Sequence, residues 1–266
     1  MSSVIKISSP AREFWEIPVL FEDEQLLALD KPAGLLTSPD RQDVKRPNLI
    51  GLLHDAVTAG KPWARERGLS YLMNSHRLDS DASGVLLLVK NKAVLVKLAN
   101  LFGSERPFKK YIGLVQGSPS EDQFEIDARL AAHPLDPGFL RVDSRNGKKS
   151  RTRFAVLEKF SRWTLLQCEP LTNRPGQVRA HLRHAGLPLV GDERHGGKPL
   201  WLSRLKRGFR LKSGHEERPL ISRAALHAER LDFAHPVTGA ATTIAAPWPK
   251  DLRVAVKYLR QFAKGN

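Results

Sequence analysis

The stretch His76-Arg77-Leu78-Asp79-Ser80-Asp81-Ala82-Ser83-Gly84-Val85-Leu86-Leu87-Leu88-Val89-Lys90 sets a charged, turn-rich segment directly against an apolar run of strand length. A continuous run such as Val85 to Val89, closed by Lys90-Asn91, reads as a strand buried on both faces. Ser80, Asp81, Ser83 and Gly84 are turn formers, so Asp79 falls on a tight loop at the mouth of a rigid sheet. Functional groups are often held in such places. A plainer reading stands beside it: Asp79 caps the turn and Arg77 pairs with a surface carboxylate.

Upstream, residues 1–16 show no clear period and read as an N-terminal arm. Pro18 to Glu22 and Gln25 to Leu29 read as short strands broken at Glu22-Asp23-Glu24. Two prolines and a glycine force Asp30 to Pro39 into a loop with Lys31 at its start. Asn48 to Ala59 fits an amphipathic helix capped by Asn48. Lys92 to Phe102 reads as a second helix, with Gly103 as its stop.

Downstream, Phe108 to Gln116 alternates as a strand and carries Lys109 and Tyr111; a strand tyrosine is commonly an edge-of-core residue. Phe124 to Leu130 reads as a strand and Ala131 to Asp143 as a loop. Arg153 to Lys159 and Trp163 to Glu169 read as an antiparallel pair. From Arg141 to Arg153 six basic residues face one acidic residue, Asp143, which suits phosphate contact or a solvated charge run. Gln177 to Ala185 reads as a helix stopped by Gly186, with Arg179 and Arg183 sharing one edge. Arg194 to Lys212 holds seven basic residues and no acidic one, with Trp201, Leu202 and Leu205 interleaved. Arg204, Lys206 and Arg207 are its candidate nucleic-acid contacts, since aromatic and cationic groups together suit bases and phosphates; a solvated loop is the plainer reading. Pro249 to Lys264 reads as a terminal helix.

Length and composition narrow the class. The 266 residues can bury a sizeable core, and 41% hydrophobic with 27% charged residues is ordinary for a globular protein. The charge balance is not: 43 Lys and Arg against 28 Asp and Glu give a net charge of +15. The isoelectric point near 10.2 points to a polyanionic partner. No apolar run approaches the roughly 18 residues of a spanning helix, and Met1 to Glu16 lacks a signal-peptide core, so nucleic acid is preferred over membrane. A cytoplasmic location is expected. The lone Cys168 excludes an intramolecular disulfide and a cysteine-rich zinc site. His227 and His235 lack a suitably spaced third ligand, so no metal is expected.

Five segments, in order, resemble the RluA-type RNA pseudouridine synthases. His76-Arg77-Leu78-Asp79 with Ser83-Gly84 and the aliphatic strand resembles the family's catalytic motif. Lys31-Pro32-Ala33-Gly34-Leu35 resembles the Lys-Pro-x-Gly-Leu segment beside the active site. Lys109 and Tyr111 match a Lys-x-Tyr strand whose tyrosine covers the target base. Arg174, Gln177, Arg179, His181, Leu182, Pro188, Gly191 and Asp192 match a basic helix and the turn after it. Here Asn173, Pro175 and Gly176 depart from the family pattern, and a customary histidine is lost. Arg223 to Pro236 resembles the family's closing strand.

The resemblance spans roughly residues 17–250 and implies an α+β pseudouridine synthase fold, a mainly antiparallel mixed sheet with flanking helices and a central cleft. It implies one catalytic domain over 17–266, with 193–222 as a basic insertion or lid and no separate RNA-binding module ahead of residue 17. The implied reaction isomerises uridine in ribosomal or transfer RNA and needs neither cofactor nor metal. It also implies roles: Asp79 as nucleophile, Arg179 as its ion-pair partner, Tyr111 over the base, and Arg77 in the space left by the flipped uridine. His76, Lys31, Lys109, Arg174 and Gln177 join Arg77 as expected RNA-binding or base-flipping residues.

The chemistry suits these residue types. Breaking and remaking a glycosidic bond calls for a carboxylate at the reacting carbon, a cation that keeps it ionised in a dry pocket, and a base for the C5 proton. Extruding the uridine costs a few kcal/mol. A rival reading is a catalytically inactive RNA-binding or chaperone module that retains the fold. Ala82, where relatives often carry threonine, and the altered Asn173–Gly176 region support it; the retained Asp79, Tyr111 and Arg179 oppose it. A retaining glycosidase fits the positive charge poorly. No glycine-rich cofactor loop or deaminase signature is present.

Overall fold

The structure is a computed structural model, and it describes residues 3–40, 43, 45–103, 107–136, 138–212 and 214–265. The chain divides into two compact units, Met1–Lys109 with Ala228–Pro247, and Lys110–His227 with Trp248–Asn266. Sheet pairings are mostly antiparallel and helices flank them, giving an α+β protein.

In the first unit the strands β1 (Val4–Ser8), β2 (Phe14–Glu22), β3 (Leu26–Lys31), β5 (Ser83–Val89) and β12 (Leu226–Ala234) lie side by side in that order, β12 from Ala228 onward. The short β4 (Met73–Asn74) pairs with β5, and β13 (Ala241–Ala245) with β12. β5 is buried at every residue, as its apolar run predicts. Its Val85, Leu87 and Val89 pack with Leu26, Ala28, Leu231 and Phe233, and α3 (Lys92–Gly103) closes this core with Val94, Leu98 and Phe102. Leu86 and Leu88 are also fully buried. Among the helices, α1 (Leu49–Thr58) starts where Asn48 Oδ1 accepts the Gly51 amide at 2.9 Å. A short α2 (Pro62–Glu66) begins on its proline, where a missing N–H does no harm.

The described part of the expected N-terminal arm, residues 3–16, holds β1 and the start of β2. β1 pairs with β2 from Val4↔Pro18 to Ser8↔Phe14, and Ile5, Ile7 and Ile17 are buried. Two isoleucines burying one side of a five-residue strand leave almost no period to read. β13 was likewise not anticipated. His235 Nδ1 accepts the Val237 and Thr238 amides at 3.3 and 3.1 Å and shapes the turn leading to it, a structural use of that histidine.

Burial also acts on Asp30 of β3, pushing its carboxyl up to about 6. The fold therefore prefers the protonated acid: this stability is complete below the unfolded carboxylate range near 3.8 and is lost as pH rises through about 6. Solvent screening of a partly exposed group reduces the effect to about 1 kcal/mol. Asp30→Asn is expected to raise the melting temperature at pH 8 by a few degrees and to leave it unchanged near pH 4. Equal shifts at both pH values in thermal melts would contradict this.

In the second unit β6 (Phe108–Gln116), β11 (Trp163–Pro170), β10 (Arg151–Lys159) and β7 (Gln123–Asp127) lie in that order, β6 from Lys110 onward. α6 (Lys250–Phe262) covers the core with Leu252, Ala255, Val256 and Leu259 against Ile112, Leu114 and Leu165. The expected strand Phe124 to Leu130 splits. β7 ends at Asp127, and β8 (Leu130–Ala132) pairs with β9 (Leu140–Val142) across the segment read as a loop. Glu125 of β7 pairs with both Arg153, at 2.9 Å, and Arg151, at 3.4 Å. Part of the basic 141–153 segment is thereby neutralised across strands. Cys168 is a buried free thiol, pushed up by that burial.

Candidate active site

The Asp79 loop is stapled to its surroundings on both sides. The α1 amides of Leu49 and Ile50 hold the carbonyls of Leu36 and Thr37 at 2.8 and 3.1 Å. The buried Thr37 hydroxyl then donates to the Leu78 carbonyl at 2.8 Å and accepts the Leu78 amide at 3.1 Å. On the far side, the Ser80 carbonyl accepts from the Gly34 amide at 2.8 Å and from Lys31 Nζ at 3.2 Å. Asp79 sits half-buried between these anchors, and the Ala82 amide donates to its carbonyl at 3.2 Å. Arg77 is exposed. After the loop, Gly84 has φ +110, and a Cβ there would stand 2.2 Å from the Ala228 carbonyl oxygen.

Three cations expected at RNA are instead interior. Lys31 is fully buried, and its Nζ also donates to the carbonyls of Pro32 and Leu35 at 2.7 and 2.6 Å. Its charge is spent on loop carbonyls, which keeps a buried ammonium tolerable. His76 is buried against Phe102, with ring centroids 5.4 Å apart, and its Nε2 accepts the Leu87 amide at 3.0 Å. Burial, reinforced by the nearby Lys109 charge, pushes its imidazole down to about 3, so it is neutral and acts as a strand anchor. Lys109 is 8% exposed and lies over Phe102 at 4.9 Å, with burial pushing its amine down to about 8. The family resemblance implied RNA-binding or base-flipping roles for these three; in this structure all three are buried.

The second unit holds the other candidates. Tyr111 lies half-buried on β6 opposite Cys168. Arg179 lies on α4 (Gln177–His184) and grips Asp192 side-on, Nε to Oδ2 and Nη2 to Oδ1, both at 2.7 Å. Burial pushes the Asp192 carboxyl up, but the bonds from Arg179 and His195 outweigh it and hold the group at about 2. The sequence offered Asp192 only as a motif match; it lies 13 residues after Arg179 and outside α4, so helix periodicity does not link the two.

Gln177 is also structural. It is buried, accepts from Thr172 Oγ1 at 2.8 Å, and donates to Arg151 O and Thr152 Oγ1, both at 2.9 Å. Thr152 in turn bonds His181 Nδ1 at 2.9 Å, while His181 Nε2 meets the Ala128 carbonyl at 3.0 Å. Burial pushes this second imidazole down as well. Arg174 is half-buried, and its Nη2 donates to the Lys149 carbonyl at 3.4 Å. The departure at Asn173–Gly176 places Gly176 at the α4 N-terminus with φ +68, a conformation glycine accepts without strain.

Within 193–222, Leu200 and Ile221 form an antiparallel bridge and are buried, so the segment is tied at its base. Beyond the bridge, α5 (Leu202–Leu205) carries Arg204, and Lys206 and Arg207 follow; all three are exposed. Lys206 Nζ lies 6.0 Å from the Phe262 ring centroid. Among the described residues no helix is long and apolar enough to cross a membrane.

Comparison with known proteins agrees with this arrangement. Residues 25–184 match the family model described as RNA pseudouridylate synthase. The chain is 34% identical over 247 residues to the ribosomal large subunit pseudouridine synthase C of Salmonella typhi, covering 92% of this chain and 70% of that protein. It is 30% identical to an uncharacterized RNA pseudouridine synthase of Bacillus subtilis, with 92% and 74% covered. Among solved structures, human RNA pseudouridylate synthase domain containing 4 superposes with a TM-score of 0.67 at 21% identity, over 91% of this chain and 92% of that one. With the catalytic-motif loop, the buried strand behind it and the basic helix all inside the matched span, the chain belongs to the RNA pseudouridylate synthase family.

Proposed function

We propose that this protein converts specific uridines of structured RNA to pseudouridine, with large-subunit ribosomal RNA as the leading substrate and Asp79 as the nucleophile. The relatives named as ribosomal large subunit enzymes support the substrate, and the absence of a membrane-crossing helix among the described residues suits a cytoplasmic setting. A transfer RNA stem-loop is the remaining candidate of the same chemistry. The observation that carries the assignment of Asp79 is its loop: both flanking residues are pinned by hydrogen bonds from other segments. A nucleophile must meet its carbon within a fraction of an ångström, and a pinned loop supplies that precision.

The reaction is an isomerisation. The N1–C1′ bond breaks and a C5–C1′ bond forms; the proton on C5 leaves and N1 gains one. Asp79 supplies the electron pair at the ribosyl or base carbon while the bond is open. Arg179 keeps that carboxylate ionised, Tyr111 covers the base and assists removal of the C5 proton, and exposed Arg77 fills the space left by the extruded uridine. The test is pseudouridine mapping of total RNA from cells lacking the protein, complemented with wild type or Asp79→Ala. A site restored only by wild type supports the reading. No changed site, or equal restoration by both, rejects it.

The exposed Arg204, Lys206 and Arg207 form the proposed phosphate contacts of the 193–222 segment. Reversing all three charges is expected to weaken RNA binding at least about tenfold at 0.1 M salt and to lower the log–log salt slope by about 2 to 3. Affinity and slope unchanged in filter-binding titrations would exclude this surface.

A further inference from the structure

We propose that Asp192 and His195 are positioning residues for Arg179, a two-member buried clamp that sets the plane of its guanidinium; this rests on the reading of Arg179 as the partner of the nucleophile. The Asp192 side chain is 1% exposed and that of Arg179 11%. Oδ1 of Asp192 accepts from Arg179 Nη2 at 2.7 Å and from His195 Nδ1 at 3.0 Å, while Oδ2 accepts from Arg179 Nε at 2.7 Å. A carboxylate only accepts, so His195 carries its proton on Nδ1 in this pair. Two parallel charge-assisted bonds fix a guanidinium far more tightly than one. They engage two of its five N–H donors, and the other three point away from Asp192.

The clamp is itself held rigidly. Gly191 has φ +75, and a Cβ there would lie 2.1 Å from the Arg223 carbonyl oxygen. A Cβ on Gly197 would lie 1.8 Å from that of Leu189. Both glycines let backbone press on backbone around Asp192, whose carbonyl accepts the His195 and Gly197 amides at 2.9 Å each. The His195 ring packs against Phe139 at a tilt, centroids 4.6 Å apart, and Arg183 and Arg194 lie over the same phenyl ring at 5.1 and 5.6 Å. A buried ion pair is a poor source of stability compared with apolar packing. Here the buried groups converge on the orientation of one arginine.

The test uses the full-length protein in three variants, assayed by tritium release from large-subunit ribosomal RNA labelled at uridine C5. Asp192→Asn keeps the shape but replaces one acceptor by a donor facing the guanidinium. It should lower kcat about 30- to 100-fold with RNA affinity within about twofold of wild type. His195→Leu, which leaves the Asp192 charge intact, should lower kcat about fivefold, and His195→Asn, whose amide replaces the Nδ1 donor, should restore it to within about twofold. Independently of activity, the Arg179 Nε–H signal in nitrogen-15 NMR, assigned with Arg179→Lys, should be protected from exchange in wild type and lose protection in Asp192→Asn. Should Asp192→Asn fail to fold, the two His195 variants decide. Unchanged kcat in Asp192→Asn, or equal kcat in the two His195 variants, overturns the proposal. If Arg179→Lys itself leaves conversion intact, the reading of Arg179 fails, whatever the NMR signal shows about the clamp.

Discussion

Asp79→Asn is expected to lower uridine conversion by about four orders of magnitude or more, into the background of the assay. Asparagine keeps the size of the side chain and removes its charge and electron pair. The bonds that pin the loop, from the Thr37 hydroxyl to the Leu78 backbone and from the Gly34 amide to the Ser80 carbonyl, do not use the Asp79 side chain. RNA affinity should be equal or slightly higher with one negative charge fewer. Tritium release from C5-labelled RNA gives the rate, and a filter-binding titration gives the affinity. Conversion above a tenth of the wild-type rate would remove Asp79 as the nucleophile.

The second large effect is on folding. Gly84→Ala places a Cβ 2.2 Å from the Ala228 carbonyl oxygen and 2.8 Å from its carbonyl carbon and amide nitrogen, at a φ of +110 that side chains avoid. Both neighbours are backbone, so no side chain can swing aside. We expect a loss of about 4 kcal/mol, seen as a melting temperature lower by about 10 °C or as failure to accumulate folded protein. Gly34→Ala is the control: its φ is also positive, at +85, yet no atom lies within 4 Å of the added Cβ. It should cost only the conformational strain, about 1 kcal/mol. Equal losses in urea denaturation would show that the close approach of β12 at Gly84 contributes nothing.

What could be read without coordinates follows from how locally each feature is encoded. β5 was legible because five consecutive aliphatic residues have few alternatives to burial, and Asp79 because turn formers and an apolar run meet beside it. α1 was legible down to its cap, since an asparagine three residues before the bonded amide is a local pattern. β1 was not, because its stability comes from pairing with β2 and from one buried face of two isoleucines. Residue type gave no sign that Lys31, His76 and Lys109 are buried: a basic side chain announces a charge but not whether water reaches it. The same limit applies to the 141–153 run, where Glu125 on a neighbouring strand supplies the missing acid. Arg179 was found from its motif. Its clamp was invisible because a glycine-built turn folds Asp192 back onto α4.

The pairing of β1 with β2 also bears on how the protein keeps from sticking to itself. β1 is an outer strand of its sheet, only five residues long, and its outward positions carry Lys6 and Ser8. A short edge with a lysine at its centre is a poor template for another chain. Cutting back to residue 17, where the family resemblance begins, would strip that edge away and delete the start of β2, the inner strand, leaving the rest of β2 without its partner strand and Ile17 without Ile5 and Ile7 beside it. The shortened protein would keep every residue assigned to the reaction and still be prone to aggregate. What looks like a dispensable leader is the guard of the sheet.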